Sequence, residues 1–192
     1  MRRSIAAGTG ATCRVAALTR IGLLIGTAAM LMSCGSSKTT SERQETACPT
    51  AGVLDTAGQQ SRFRAPGGTR GDLLYEARIT GVSVTTCRTE RSGGGTVDLQ
   101  LGLQLVRGPA SSDENFSVTY FVAVTTPGGE IVSRKPFTVS FRIPADRNGG
   151  TAQEELSIAV PPSGAPLRDY RIYAALQLTP EELEYNRSTG AP

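Results

Sequence analysis

Cysteine carries the most reactive side chain in this sequence, which contains four cysteines and no histidine. Without histidine the chain lacks the usual general base and the commonest nitrogen ligand for zinc. Two carboxylates could act as acid and base, but spacing along one sequence does not place them across a cleft. The sequence therefore predicts no catalytic residue, no cofactor and no metal site, and we do not expect an enzyme.

Cys34 stands at the end of the longest apolar run in the sequence, residues 21–32. The run is too short to cross a bilayer, because a membrane-spanning helix needs about 20 residues. The residues before it include four arginines and no acidic residue: Arg2, Arg3, Arg14 and Arg20. A basic stretch followed by a short apolar region and a small residue is typical of a secretory signal peptide.

The motif Leu31-Met32-Ser33-Cys34 resembles the lipobox of bacterial lipoproteins. The resemblance implies cleavage before Cys34, a diacylglycerol on its sulfur and an acyl chain on the new amino terminus. Residues 1–33 are therefore predicted to be a lipoprotein signal peptide. The alternative, a buried thiol in a short helix, leaves the arginines before the run unexplained. Since two or more acyl chains hold a protein stably on a bilayer, Cys34 is expected to be a membrane anchor.

Residues 34–47 are predicted to be the lipidated cysteine and a flexible tether. After Cys34 this stretch contains no apolar residue larger than alanine, so it cannot bury enough surface to offset the entropy of ordering. Gly35 occupies the position at which some lipoproteins have the aspartate that retains them at the inner membrane. We therefore expect the periplasmic face of a bacterial membrane, with the outer membrane favoured.

Cys48 and Cys87 remain after removal of the signal peptide and acylation of Cys34. In an oxidising compartment two remaining thiols most often join, so the sequence predicts a disulfide between them. A redox or metal-binding pair is the alternative, but the two residues lack the CxxC spacing and the chain offers no histidine.

Removal of residues 1–33 changes the charge of the protein. Four of the 20 basic residues and none of the 17 acidic residues lie in this segment, which leaves 16 basic residues against 17 acidic ones. A protein that binds nucleic acid carries an excess of basic residues on one face. We therefore expect no nucleic acid partner.

From residue 73 onward, apolar residues recur at every second position, which is the spacing of a half-buried strand. The runs cover residues 73–86, 97–105, 116–124, 137–143, 156–160 and 170–178, and residues 53–54 could add a short edge strand. A change of parity near Gly81 predicts a β-bulge there. Because each apolar face must be covered, residues 48–187 are predicted to form an all-β, immunoglobulin-like sandwich of about seven antiparallel strands. A small β-barrel is the alternative.

The end of the chain contains a helix signal. Thr179, Pro180 and Glu182 form the pattern of a capping box with proline at the first helical position, which predicts a short helix from residue 180 to about residue 186. Glu181, Glu182 and Glu184 could form a carboxylate site, but acids in a first helical turn are favoured by the helix dipole anyway. Residues 188–192 are expected to be a disordered tail.

Residues 55–72, which we call the arginine segment, show no clear periodicity. Structureless stretches of this length inside compact domains are often functional. Four of its residues are candidates for binding a partner: Arg62, Phe63, Arg64 and Arg70. Guanidinium groups suit anionic headgroups, cell-wall carboxylates or an acidic protein face. A solvated loop held in place by Phe63 is the alternative.

The chain as a whole resembles a group of uncharacterised alphaproteobacterial lipoproteins. The residues that carry the resemblance are the lipobox with Cys34, Cys48-Pro49, Arg62-Phe63-Arg64, Gly71-Asp72, Tyr75-Glu76-Ala77 and residues 120–124 and 178–186. The resemblance implies a lipid anchor and one β-rich periplasmic domain, and it implies no activity.

Two functions remain open. The first is a non-catalytic binding or structural module of the cell envelope, attached to the membrane through Cys34 and contacting an envelope protein or the cell wall. The second is a carrier of lipid or another small ligand, or a hydrolase, with a cavity inside a barrel. A packed interior would favour the module, whereas an apolar cavity of several hundred Å³ would favour the carrier.

Overall fold

The computed structural model describes residues 48–91 and 93–190. Residues 1–33, the acylation site at Cys34 and the tether of residues 34–47 lie outside the described residues.

Within the described residues, eight strands form two four-stranded sheets that pack face to face. The strands are β1 Thr50–Val53, β2 Gln59–Phe63, β3 Leu73–Thr89, β4 Gly95–Arg107, β5 Asn115–Thr125, β6 Ile131–Arg142, β7 Gly149–Val160 and β8 Arg171–Leu176. The first sheet has the order β1-β8-β5-β6 and the second sheet has the order β2-β3-β4-β7. The predicted sandwich is therefore confirmed, and the alternative of a small barrel does not form from the described strands.

Two details differ from the prediction of about seven antiparallel strands. An eighth strand, β2, lies inside the arginine segment, where none was predicted. Its buried residues are Gln60 and Ser61, so it lacks the apolar alternation by which strands are recognised. In addition, β1 pairs with β8 in parallel, with Thr50 opposite Arg171.

The alternating apolar residues face the space between the sheets. Leu101 of the second sheet and Val118 and Tyr120 of the first sheet are completely buried there. The register of β3 against β4 shifts between Ile79 and Gly81, which confirms the predicted bulge. A second shift follows between Val84 and Thr86. These bulges let one 17-residue strand follow the twist of the sandwich.

The connections are those of an immunoglobulin-like domain. β4 and β7 are neighbours in the second sheet, while the hairpin β5-β6 between them in sequence belongs to the first sheet. Tyr170, just before β8, is completely buried, and its hydroxyl donates a hydrogen bond to the carbonyl oxygen of Pro161 at 3.0 Å. A tyrosine bonded to upstream backbone at this corner is a hallmark of such domains. This role of Tyr170 was not predicted from the sequence.

The predicted disulfide is present. Cys48 lies two residues before β1 and Cys87 lies on β3, and their Cα atoms are 5.7 Å apart. Since β1 belongs to the first sheet and β3 to the second, the bridge ties the two sheets together.

One α-helix follows the last strand. α1 spans Pro180–Thr189 and ends at Gly190 in the left-handed conformation. The helix thus extends beyond the predicted end near residue 186, and it includes Ser188 and Thr189 of the expected tail.

Removal of the disulfide is expected to destabilise the domain. Cys48 and Cys87 are 39 positions apart, and closing a loop of that length contributes about 4 kcal/mol on the chain-entropy model. The double variant Cys48→Ala/Cys87→Ala should lose about this much free energy of unfolding in urea titrations. Reduced wild-type protein is the matched control, because it loses the link but keeps both side chains. A loss below about 1 kcal/mol in both samples would contradict the expectation.

Candidate functional site

A buried carboxylate joins the C-terminal helix to the second sheet. Glu182, in the first turn of α1, is buried, and Gln60 Nε2 donates hydrogen bonds to its two oxygens at 3.3 and 3.1 Å. Arg62 Nε lies 3.1 Å from Glu182 Oε1. A charge is tolerated in a protein interior when it is paired and hydrogen-bonded. These bonds therefore fix α1 against β2.

The local sequence explains why Glu182 points inward. The backbone N–H of Thr179 donates to Glu182 Oε2 at 2.8 Å, and Thr179 Oγ1 accepts from the backbone N–H of Glu182 at 3.2 Å. This reciprocal pair confirms the predicted capping box. The neighbouring Glu181 points outward, and the backbone N–H of Glu181 itself and the Thr179 side chain lower the pKa of its carboxyl.

A second polar residue of α1 binds the backbone before β2. Asn186 lies four residues after Glu182, on the same side of the helix, and is completely buried. Its Nδ2 donates to the carbonyl oxygens of Thr56 and Gln59 at 2.8 and 2.7 Å. Thr56 has φ 67°, a left-handed conformation that is costly for a β-branched residue. The Asn186 amide therefore supports a strained turn that leads into β2.

An aromatic pair lies beside this polar joint. The rings of Phe63 and Tyr185 meet edge to face, with centroids 5.0 Å apart. Tyr185 remains 38% exposed, so the pair presents an aromatic surface to solvent as well as to the domain. An offset or edge-to-face pair contributes more than the area it buries.

The arginine segment and α1 enclose an open pocket of about 290 Å³, which we call the helix pocket. Its walls include Phe63, Arg64 and Pro66 on one side and Glu181 and Tyr185 on the other. The pocket thus combines aromatic and aliphatic surface with charges of both signs. Such a surface suits an apolar side chain or group flanked by polar atoms.

The four candidate binding residues fall in different places. Arg62 is held by Glu182 but keeps 40% of its side chain exposed, and Phe63 belongs to the aromatic pair. Arg64 is exposed, and its Nη2 donates to the carbonyl oxygen of Ala110 at 2.8 Å. These three residues line the helix pocket. Arg70 does not; it borders a separate depression with Glu76 and Val106.

The rim of the helix pocket is ordered by short-range bonds. The backbone N–H of Arg64 donates to the carbonyl oxygen of Asp72 at 3.0 Å, which closes the loop between β2 and β3. Asp72 accepts from the hydroxyl and the backbone N–H of Thr69 at 2.8 and 3.0 Å. The Thr69 hydroxyl, followed by its backbone N–H, lowers the pKa of the Asp72 carboxyl. The loop is therefore ordered by its own hydrogen bonds, although residues 64–67 and 69–71 are exposed to solvent.

The described residues contain no cluster of three or more His, Cys, Asp or Glu side chains that could hold a metal ion. Across the same ranges, no helix has the length and hydrophobicity needed to cross a bilayer.

Neither a protein-family model nor a curated protein sequence matches this chain.

Sequence reasoning missed the residues that build the helix pocket from the helix side. Tyr185 and Asn186 were not proposed as site residues, and a capping role for Glu182 was preferred to a carboxylate site. The sequence did contain an indication of this site. Glu182 and Asn186 are four residues apart and therefore lie on one face of the helix, and the face of a surface helix that packs on a domain is usually apolar. The buried residues of the partner strand β2 are also polar. Polar residues on both α1 and β2 could therefore have indicated that the two elements contact each other.

Replacement of Glu182 by alanine is expected to loosen α1 from the domain. The change removes a helix cap and the two hydrogen bonds from Gln60 Nε2 to the carboxylate, which leaves this buried amide only the carbonyl oxygen of Gln177 at 3.3 Å. The loss should cost about 2 to 3 kcal/mol of unfolding free energy. The ion pair with Arg62 adds little, since that side chain is partly exposed to water. Urea unfolding measures the change.

Glu184→Ala is the matched control for this variant. Glu184 is exposed and lies 3.8 Å from Arg187, so its loss should change the unfolding free energy by less than about 0.5 kcal/mol. Equal losses for Glu182→Ala and Glu184→Ala would contradict the central role of the buried carboxylate.

Proposed function

We propose that the protein is a lipoprotein of the cell envelope, attached through lipid on Cys34 to the periplasmic face of a bacterial membrane, with the outer membrane favoured. The observation that supports the anchor is the order of sequence features: arginines without acids, a short apolar run, and then Leu31-Met32-Ser33-Cys34. The disulfide between Cys48 and Cys87 agrees with an oxidising compartment. The proposal includes membership of the alphaproteobacterial lipoprotein group that the chain resembles.

Within this setting the domain acts as a non-catalytic binding module. The helix pocket supports this role, because hydrogen bonds and the ion pair between Arg62 and Glu182 hold its walls, which come from β2, the loop after it, and α1. Rigid walls reduce the entropy lost on binding. The partner is an envelope protein that places an apolar side chain against Phe63 and Tyr185 and an acidic group near Arg64.

The packing of the interior favours a module over a carrier. Leu101, Tyr120 and Tyr170, which belong to the core between the sheets, are 0% exposed. The helix pocket, in contrast, lies at the surface, on the edge of the second sheet. A carrier of lipid needs an apolar cavity that can enclose the lipid. The space between the two sheets is filled with side chains instead.

Acylation of Cys34 is the first test. Protein purified from membranes should begin at Cys34 and carry the mass of a diacylglycerol and an additional acyl chain, because two or more chains are needed for a stable anchor. Intact-protein mass spectrometry measures this mass. Cys34→Ala should abolish both the cleavage and the added mass. Native protein that retains residues 1–33 and an unmodified thiol would overturn the proposed location.

Binding at the helix pocket is the second test. A photo-crosslinking residue in place of Ala65, which is exposed on the pocket rim, should capture a discrete envelope protein in intact cells. The double change Arg64→Gln/Tyr185→Ala should reduce the capture at least about tenfold, since arginine and tyrosine dominate binding hot spots. Mass spectrometry of the crosslinked species identifies the partner.

The same crosslinker in place of Gln100 is the positional control, because Gln100 is exposed on the outer face of the second sheet. Thermal melting of the Arg64→Gln/Tyr185→Ala protein separates loss of binding from loss of folding. Identical crosslinked species from both positions, or capture that survives the double change, would contradict a partner at the helix pocket.

A further inference from the structure

The two sheets differ in charge. The four strands of the first sheet contain no aspartate or glutamate. Their basic residues are Arg134, Lys135, Arg142 and Arg171. The strands of the second sheet carry acids and arginines in equal number, and Arg78 and Arg88 each lie 3.7 Å from an acidic neighbour. The first sheet is therefore the basic side of the domain, since the other residues from 48 to 190 include 10 basic and 15 acidic ones.

The outer face of the first sheet, which we call the groove face, is also apolar. An open groove of about 740 Å³ crosses it, with Ala123 on its lining and Leu54, Phe121 and Tyr173 around it. Ala123 is only 5% exposed although it points away from the core, because larger neighbours flank it. At one end of the groove Ile131 is 61% exposed.

Arginines border this apolar surface. The guanidinium of Arg134 lies 4.0 Å from the centroid of the Phe121 ring, and Arg171 lines the groove beside Thr125. None of the described residues that line the groove is acidic. Arginines around an apolar surface fit the interface of an anionic bilayer, where phosphates meet the first methylenes of the lipid chains.

The groove face lies next to the point where the anchor segment joins the domain. Thr50, the first residue of β1, is opposite Arg171, which is opposite Thr125 in turn. Cys34 precedes Cys48 by only 14 positions in the sequence. A chain of that length spans at most about 50 Å when it is fully extended. A lipid on Cys34 therefore keeps the groove face within reach of the bilayer.

We propose that the groove face rests on the anionic surface of the bilayer that holds the anchor. Arg134 and Arg171 contact lipid phosphates, and Leu54, Tyr173 and Ile131 enter the interface. This inference rests on the proposed lipid anchor. A second copy of the chain is a poorer occupant, because the groove faces would bring like charges together.

This orientation leaves the partner site accessible. The helix pocket is built on β2, the edge strand of the opposite sheet. A domain that rests on its first sheet presents its second sheet, and with it the edge that carries the helix pocket, away from the bilayer. The two surfaces can then be occupied at the same time.

A single introduced tryptophan tests the orientation, because the natural chain contains none. Acylated protein carrying Tyr173→Trp is reconstituted on vesicles of phosphatidylethanolamine and phosphatidylglycerol that contain lipids brominated near the headgroup. The fluorescence of this variant should be quenched. Val106→Trp is the matched control, because Val106 is 42% exposed on the second sheet and should remain unquenched.

The charge requirement is tested on the same vesicles. Arg134→Gln and Arg171→Gln should each lower the docked-to-undocked ratio about fivefold, the factor expected for one arginine at an anionic surface. Arg78→Gln on the second sheet should leave the quenching unchanged. Replacing phosphatidylglycerol by phosphatidylcholine should also reduce the quenching of the Tyr173→Trp protein, as the two arginine variants do.

The outcomes separate the inference from the proposed function. Protein that sediments with the vesicles but shows equal quenching at both tryptophan positions keeps its anchor and overturns the docking of the groove face. Equal quenching of the Tyr173→Trp protein on anionic and zwitterionic vesicles overturns the role of the arginines, because docking would then depend on the apolar groove alone. Protein that fails to sediment overturns the anchor and the inference together.

Discussion

The fold depends on the burial of one apolar face from each of two sheets. Strands such as β4 and β5 place an apolar side chain at every second position, and a single sheet would leave that whole face in water. Packing of the two sheets removes it at a gain of about 25 cal/mol per Å². The disulfide between Cys48 and Cys87 and the buried tyrosine Tyr170 then hold the sheets and their corner in one arrangement. The two candidate binding surfaces, the helix pocket and the groove face, both lie outside this buried layer.

The end of the sandwich beside β2 is closed by polar contacts instead of apolar ones. Glu182 and Asn186 of α1 bind Gln60, Arg62 and the backbone around β2. A polar joint of this kind requires specific geometry, because each buried group must find its own partner. The aromatic pair of Phe63 and Tyr185 and the exposed Arg64 are held by that joint at the mouth of the helix pocket. Stability at this end and the shape of the candidate binding site are therefore set by the same contacts.

The two sheets differ in the charge of their residues, so the domain has one basic side. The second sheet has charges of both signs, with several acids and arginines close together, as expected for a surface that faces water. On the strands of the first sheet every charged residue is basic, and an apolar groove crosses the outer face of this sheet. A lipid at Cys34 would bring the membrane to the basic side, and the helix pocket would remain free on the opposite sheet. One small domain could in this way hold a partner at a fixed orientation to the membrane.

The sequence by itself determined the features that depend on neighbours along the chain. The alternation of period two predicted most strands and the sandwich, the parity change predicted the bulge near Gly81, and Thr179 with Glu182 predicted the helix start. The cysteine count predicted the bridge. Only the tertiary structure decided that β2 is a strand, that Glu182 and Asn186 bind it from more than 120 positions away, and that Arg70 stands apart from Arg62, Phe63 and Arg64. The physical reason is that local patterns report which face of an element is apolar, whereas polar pairings between distant elements leave no periodic trace.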